Sequence, residues 1–227
     1  GNEYYVSGVD KNATSVKIPS SYWGQPVTSI GEDAFRGCTS LTSVTIGNSV
    51  TSIGDGAFYD CDSLTSVTIP NSVTEIGIYA FENCTSLTSV TIGDSVTSIG
   101  KKAFENCTSL QYNIENNLKY LGNSTNPYLY LEGTTSTNIT TATINSNCKF
   151  IGSRAFYNCD SLTSVTIPNS VTIIGISAFA WCDSLTSVTI GNSVTSIGDY
   201  AFYNCYNLTS IEVAENNLNY KSIDGNL

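Results

Sequence analysis

The chain has 227 residues, of which 41% are hydrophobic and only 12% charged, with nine Lys and Arg, nineteen Asp and Glu, and no His. Half the charge of an ordinary soluble chain has been replaced by Ser, Thr and Asn, and the missing imidazole excludes Ser-His and Cys-His nucleophile pairs along with the commonest general base and metal ligand. A net charge of −10 excludes nucleic acid as the expected partner, because its phosphates are neutralised by basic residues.

The chain opens Gly1-Asn2-Glu3-Tyr4-Tyr5, with no basic start and no following apolar run, so no secretory signal is expected in this stretch. An initial Gly suggests a processed fragment, whose export signal or anchor would lie outside it. No segment approaches the roughly 18 consecutive apolar residues of a membrane span, and no membrane insertion by this fragment is expected. Residues 1–40 read as an atypical N-terminal cap: Ala13, Val16 and Ile18 alternate as in a half-buried strand, and Tyr22-Trp23-Gly24-Gln25-Pro26 is inserted before Val27 and Ile30.

From Leu41 the phrase LTSVTIGNSVTSIGDGAFYDCDS begins, and it restarts at Leu64, Leu87, Leu162 and Leu185, a period of 23 residues. Leu41, Val44 and Ile46 define a strand with Ser43 and Thr45 pointing outward. A Gly-Asn, Gly-Asp or Pro-Asn pair then turns the chain, Val50 and Ile53 return to the core as a second short strand, and the spacing of Ala57, Phe58 and Cys61 predicts one or two helical turns. One such unit buries too little to offset the entropy of ordering it, so the units must stack.

Residues 41–109 hold three regular repeats. Residues 110–138 are irregular, the next register falling at Ile139, 29 residues after Leu110, and LKYLGNSTNPYLYLEG there predicts a β-hairpin around Asn126-Pro127 in place of the helical turn. Residues 139–207 hold three further repeats. Residues 208–227 begin another irregular unit, since Glu215-Asn216-Asn217-Leu218 echoes Glu115-Asn116-Asn117-Leu118. Nine register positions (13, 41, 64, 87, 110, 139, 162, 185 and 208) then predict one array of parallel strands on the order of 40 Å long, at about 4.8 Å per strand.

The repeated SLTSVTIPNSVTxIGxxAFxxC resembles the BspA-like leucine-rich repeat, a bacterial surface-protein family, over essentially the whole chain. The resemblance implies a repeat solenoid, a leucine-rich repeat with parallel strands, a second short strand and a short helical turn per unit. It also implies an extracellular or cell-surface location and a role in adhesion to host matrix, mucin or other cells. It carries over no catalytic or binding residue, because the shared positions are packing positions.

Seven of the eight Cys share one phase, from Cys38 to Cys205, and Cys148 stands out of it at the Val50 position. An even count allows a disulfide framework, but one repeat position stacks as a core-facing ladder, where free Cys behaves as a small hydrophobe; free buried thiols are expected. No Cys-x-x-Cys exists to begin a zinc site. No carboxylate pair recurs in phase, so neither a catalytic dyad nor a Ca²⁺ cage is expected. No enzyme activity and no cofactor are predicted.

Two features are left to carry contact. Thr45, Thr68, Thr91, Thr166 and Thr189 form a Ser-x-Thr row on one strand face, which suits either plain β propensity at solvent positions or recognition of a protein or glycan. Tyr22 and Trp23 in the cap, and Tyr120, Tyr128 and Tyr130 in the hairpin, interrupt the repeat where insertions tend to map to functional loops, although such rings also serve as cover for core edges. The expected function is a monomeric, non-enzymatic module that binds a surface protein or glycan. The alternative is a passive spacer displaying other domains.

Overall fold

The computed structural model describes residues 3–8 and 10–222. The chain divides into two compact units, residues 1–111 and 112–227, and each is a parallel-strand β-solenoid with about 23 residues per turn.

In the first unit the strands are β1 (Tyr4–Val6), β2 (Ser15–Lys17), β3 (Ser21–Tyr22), β4 (Gln25–Ile30), β5 (Ser43–Thr45), β6 (Ser52–Ile53), β7 (Ser66–Ile69), β8 (Glu75–Ile76), β9 (Ser89–Ile92) and β10 (Ser98–Ile99). They form two ladders, β2-β5-β7-β9 from the long strands and β1-β4-β6-β8-β10 from the short ones. Register follows the repeat residue by residue, Val67 beside Val90 and Ile53 beside Ile76. Alternation decides the faces: Val67 and Ile69 are buried, and Ser66 and Thr68 are exposed. β3 turns antiparallel onto β4 through Trp23 and Gly24, both left-handed, with φ of 49° and 75°, the backbone of a two-residue hairpin that follows the sheet's own twist.

The helical turn expected after Gly54 is not formed. Within this segment hydrogen bonds span three residues, from Ala57 N–H to Gly54 O and from Cys61 N–H to Phe58 O, while Gly56, Phe58 and Asp60 donate instead to Ile78, Ala80 and Glu82 of the next repeat at 2.8, 2.7 and 3.0 Å. Gly56 and Asp60 have φ of 58° and 57°, and two left-handed residues in five cannot sit in a right-handed helix. The segment is a run of tight turns that adds a third ladder. Its second left-handed position is held by Gly37, Asp60, Asn83 and Asn106, the residue types that tolerate this conformation.

Three side-chain ladders run through the turns. Phe35, Phe58, Phe81 and Phe104 stack with ring centroids 4.9, 5.0 and 5.4 Å apart and planes within 7°. The thiols of Cys61, Cys84 and Cys107 each donate to the Phe carbonyl of the preceding repeat, at 3.1–3.2 Å, so the position takes a small group with a weak donor. Thr65 and Thr88 hydroxyls donate to the Thr42 and Thr65 carbonyls. Repeats approach so closely that a Cβ on Gly54 would lie 2.7 Å from the Glu32 backbone nitrogen, which fixes glycine there.

In the second unit the strands are β11 (Asn113–Glu115), β12 (Leu118–Leu121), β13 (Tyr130–Thr134), β14 (Thr141–Thr143), β15 (Phe150–Ile151), β16 (Ser164–Ile167), β17 (Ile173–Ile174), β18 (Ser187–Ile190), β19 (Ser196–Ile197) and β20 (Ser210–Val213). β14-β16-β18-β20 is the long-strand ladder. The other sheet starts as an antiparallel meander: β11 pairs with β12, β12 with β13, and β13 then runs parallel to β15, followed by β17 and β19. The strand after Leu110 is thus antiparallel, and the single array of nine parallel strands is corrected to two parallel ladders of four. Asn116 and Asn117, with φ of 51° and 65°, make the two-residue turn between β11 and β12.

The echo at 215–218 does not repeat that turn. Asn216 and Asn217 are not left-handed, Asn217 N–H closes onto Ala214 O, and its side chain donates to the carbonyls of Gly191 and Val194. The remainder of the irregular unit expected at 208–227 lies, from residue 223 on, outside the described residues, as do residues 1, 2 and 9 of the cap.

Candidate functional site

The threonine row is built by the long-strand ladders. In the first unit Thr45, Thr68 and Thr91 are exposed, with Thr68 directly beside Thr91; in the second, Thr166 lies directly beside Thr189. Each ladder closes on a charge that breaks the row, Lys17 beside Thr45 and Glu212 beside Thr189. The regular repeats carry two threonine columns, one just before the long strand and one within it, and the two do different work. Thr42, Thr65 and Thr88 spend their hydroxyls on carbonyls of the preceding repeat, whereas none of the five row hydroxyls forms a hydrogen bond within the described residues. Those five point donors and acceptors at solvent from a rigid backbone.

At the cap, Trp23 is 81% exposed and Tyr22 54%, held edge to face at 6.1 Å, while Tyr4 meets Tyr22 at 5.5 Å. A bulky side chain in the left-handed region costs on the order of 1–3 kcal/mol, and here that conformation presents the indole to water.

The hairpin tyrosines are placed differently from the expectation. Tyr120 is fully buried, its hydroxyl accepting the Asn145 N–H at 3.1 Å, and Tyr130 is 3% exposed. Tyr128 is half-buried against the core and meets Tyr120 edge to face at 5.4 Å. β12 and β13 turn Tyr120 and Tyr130 inward, and Tyr128 packs against the second unit's core; Tyr120 and Tyr130 offer no contact surface. Burial raises the Tyr120 hydroxyl above the usual phenol range, against the lowering effect of the Asn145 N–H.

Exposed aromatics lie instead on the turn ladder of the second unit. Tyr200 and Tyr203 are 5.6 Å apart, Trp181 and Tyr203 6.1 Å, and Tyr206 is also exposed. Their readable signal is position: Tyr200 and Tyr203 fall eight and five residues before Leu208, in the columns of Tyr79 and Glu82. A helical reading of the segment hides this.

All eight cysteines are free, seven buried and Cys205 partly exposed. Burial pushes the Cys61 and Cys148 thiols up to about 12, and Cys159 to about 11. Such groups are neither nucleophiles nor ready metal ligands at neutral pH. Among the described residues no three His, Cys, Asp or Glu side chains gather to hold a metal ion, and no helix is long and apolar enough to cross a membrane.

The repeat is matched among known proteins. The BspA type leucine rich repeat region, in six copies, matches residues 8–131 and 134–225. Among solved structures, a leucine rich repeat protein of T. pallidum is 28% identical, with a TM-score of 0.36, covering 88% of this chain and 69% of that one. The pneumococcal vaccine antigen PcpA is 18% identical, with a TM-score of 0.42, covering 89% and 62%. A leucine rich cell surface protein of Faecalibacterium prausnitzii is 24% identical, with a TM-score of 0.31, covering 89% and 88%. A search of curated proteins finds no match. The ladders, the period and the matched residues make the chain a binding or structural repeat module, and it belongs to the BspA-type leucine-rich repeat family.

Proposed function

We propose that the chain is a non-enzymatic module of a cell-surface protein that binds a protein or glycan through the threonine faces of its long-strand ladders, with Tyr22 and Trp23 as aromatic anchors beside the first. The observation that carries this reading is the division of labour between the two threonine columns: one is consumed by the backbone, and the other has hydroxyls on a rigid surface with no partner within the chain. Pre-ordered groups lose little entropy on binding, and exposed Trp and Tyr are the side chains that most often dominate interfaces. Family membership supports the surface location.

The test is a binding panel of matrix proteins, mucins and glycans, run on the native chain and on a Thr68→Glu, Thr91→Glu double variant. Saturable binding that weakens about ten-fold or more in the variant is expected, since like or unpaired charge in a contact patch costs over 1 kcal/mol. No binding above background across the panel would favour the second reading, a passive spacer. That reading draws on the ladders themselves, which commit most side chains of each repeat to packing or to hydrogen bonds with the next.

A further inference from the structure

On the turn side of the first unit a groove of about 530 Å³ crosses four successive repeats. Gly56 lines it, the glycine of a column that otherwise carries Asp33, Tyr79 and Lys102. Four carboxylates (Glu32, Asp33, Asp55 and Glu82) and two cations (Arg36 and Lys102) line it, together with the rings of Tyr59 and Tyr79. The balance is negative within a chain that is itself strongly negative, so the field favours a positively charged partner group.

The chain shows what such a group does there. Arg36 lays its guanidinium over the Tyr59 ring, 4.6 Å from the centroid, while its nitrogen reaches Asp33 at 3.3 Å. A cation is thus held by a carboxylate and a tyrosine face at one end of the groove. Farther along, the next repeat but one has Tyr79 and Glu82 in the same two columns as Asp33 and Arg36. Glu82 is only 8% exposed, yet its carboxylate accepts no hydrogen bond among the described residues. Its one cation, Lys102, stays 3.8 Å away and sits closer to Glu105, at 2.9 Å. This carboxylate keeps a narrow solvent exposure and open acceptor positions, beside a cation 3.8 Å away. Burial raises the Glu82 carboxyl above its ordinary value despite Lys102.

We propose that this groove receives a Lys or Arg side chain of a protein partner, its cationic head set against the Glu82 carboxylate and its stem along the tyrosine rings. The inference rests on the reading of the chain as a binding module and adds a contact site separate from the threonine faces.

The probe is a capped tetra-arginine peptide, with capped tetra-citrulline as its neutral near-isostere, titrated by calorimetry at moderate ionic strength. Tetra-arginine should bind and tetra-citrulline should not. Glu82→Gln should weaken binding about five-fold or more, the size of one ion pair with a ring contact. Gly56→Asn, which keeps a residue tolerant of left-handed backbone while crowding the groove and displacing the Asp33 carboxylate, should do the same; thermal melting checks that both variants fold. Asp160→Asn, an exposed acid of the second unit, should leave the affinity unchanged. Equal binding of citrulline, equal loss in Asp160→Asn, competition by neutral oligosaccharides, or no binding at all would each overturn the proposal. Because the Thr68→Glu, Thr91→Glu variant leaves the groove intact, failure of the threonine-face reading and failure of this one give different patterns.

Discussion

The two units are built from the same turn and begin differently. In the first, β1 lies parallel to β4 and a two-residue hairpin at Trp23-Gly24 precedes the first full rung. In the second, a three-stranded antiparallel meander occupies the corresponding place and drives Tyr120 and Tyr130 into the core. Regular rungs cover one another, so one sequence serves each of their positions, whereas each irregular rung packs in its own way. The units also diverge on their turn sides, where the first carries charges around Gly56 and the second carries Trp181, Tyr200 and Tyr203. The regular rungs of the two cores are alike, and the outer columns differ.

The largest effect that could break this equivalence concerns the thiols. Raising a thiol from its ordinary 9.0 to about 12 cuts its thiolate at pH 8 by about 10³-fold, so Cys61 in the first unit and Cys148 in the second should be equally unreactive toward a disulfide reagent in the native chain and should react at once in denaturant. Cys205, the one partly exposed thiol, should react first. The linked stability has a definite sign: the folded chain holds these protons more tightly than the unfolded one, so the contribution is intact below pH 9 and is lost as pH rises from 9 toward about 12. A native chain whose stability was flat over that window would contradict burial of the ladders.

Next in size are the ring stacks. Phe81→Ala and Phe179→Ala should each cost about 3–5 kcal/mol in denaturant unfolding, because both rings lie fully buried between two others; a marked inequality would show that the rungs are not interchangeable. Tyr120→Phe should cost about 1–3 kcal/mol by leaving the Asn145 N–H without its partner, and hydrogen exchange should locate the loss in residues 112–222 with the first unit unchanged. Smallest is Trp23→Ala, expected within about 0.5 kcal/mol of the native chain since the indole is 81% exposed. A larger loss would make Trp23 part of the cap's packing and remove it from the candidate surface.

Much of this architecture was legible in the repeat. Leu, Val and Ile at fixed offsets placed both strand ladders, and the alternating runs around Asn126-Pro127 placed the β12–β13 pair. The turn segment was misread because Ala57, Phe58 and Cys61 satisfy a helical spacing as well as they satisfy successive tight turns. The distinguishing sign was present, Gly, Asp or Asn just before the Cys in six of seven repeats, a composition that suits left-handed backbone and not a helix interior. The threonine row was readable from alternation alone. The groove was not, because its members are spread from Glu32 to Lys102 and meet only when four repeats are stacked.

The sequence by itself determined the period, the inward positions and the chemistry of each column, because a stacked repeat forces equivalent residues into equivalent places. The tetrapeptide Glu-Asn-Asn-Leu marks where that authority ends. At 115–118 it makes a left-handed hairpin turn and buries Leu118 completely; at 215–218 the same four residues bind the preceding repeat through Asn217 and leave Leu218 96% exposed. Local preference permits both, since Asn tolerates left-handed and right-handed backbone at little cost. The tertiary structure chose between them: β12 finds β13 and a core to cover, while Asn217 finds two unfilled carbonyls, at Gly191 and Val194.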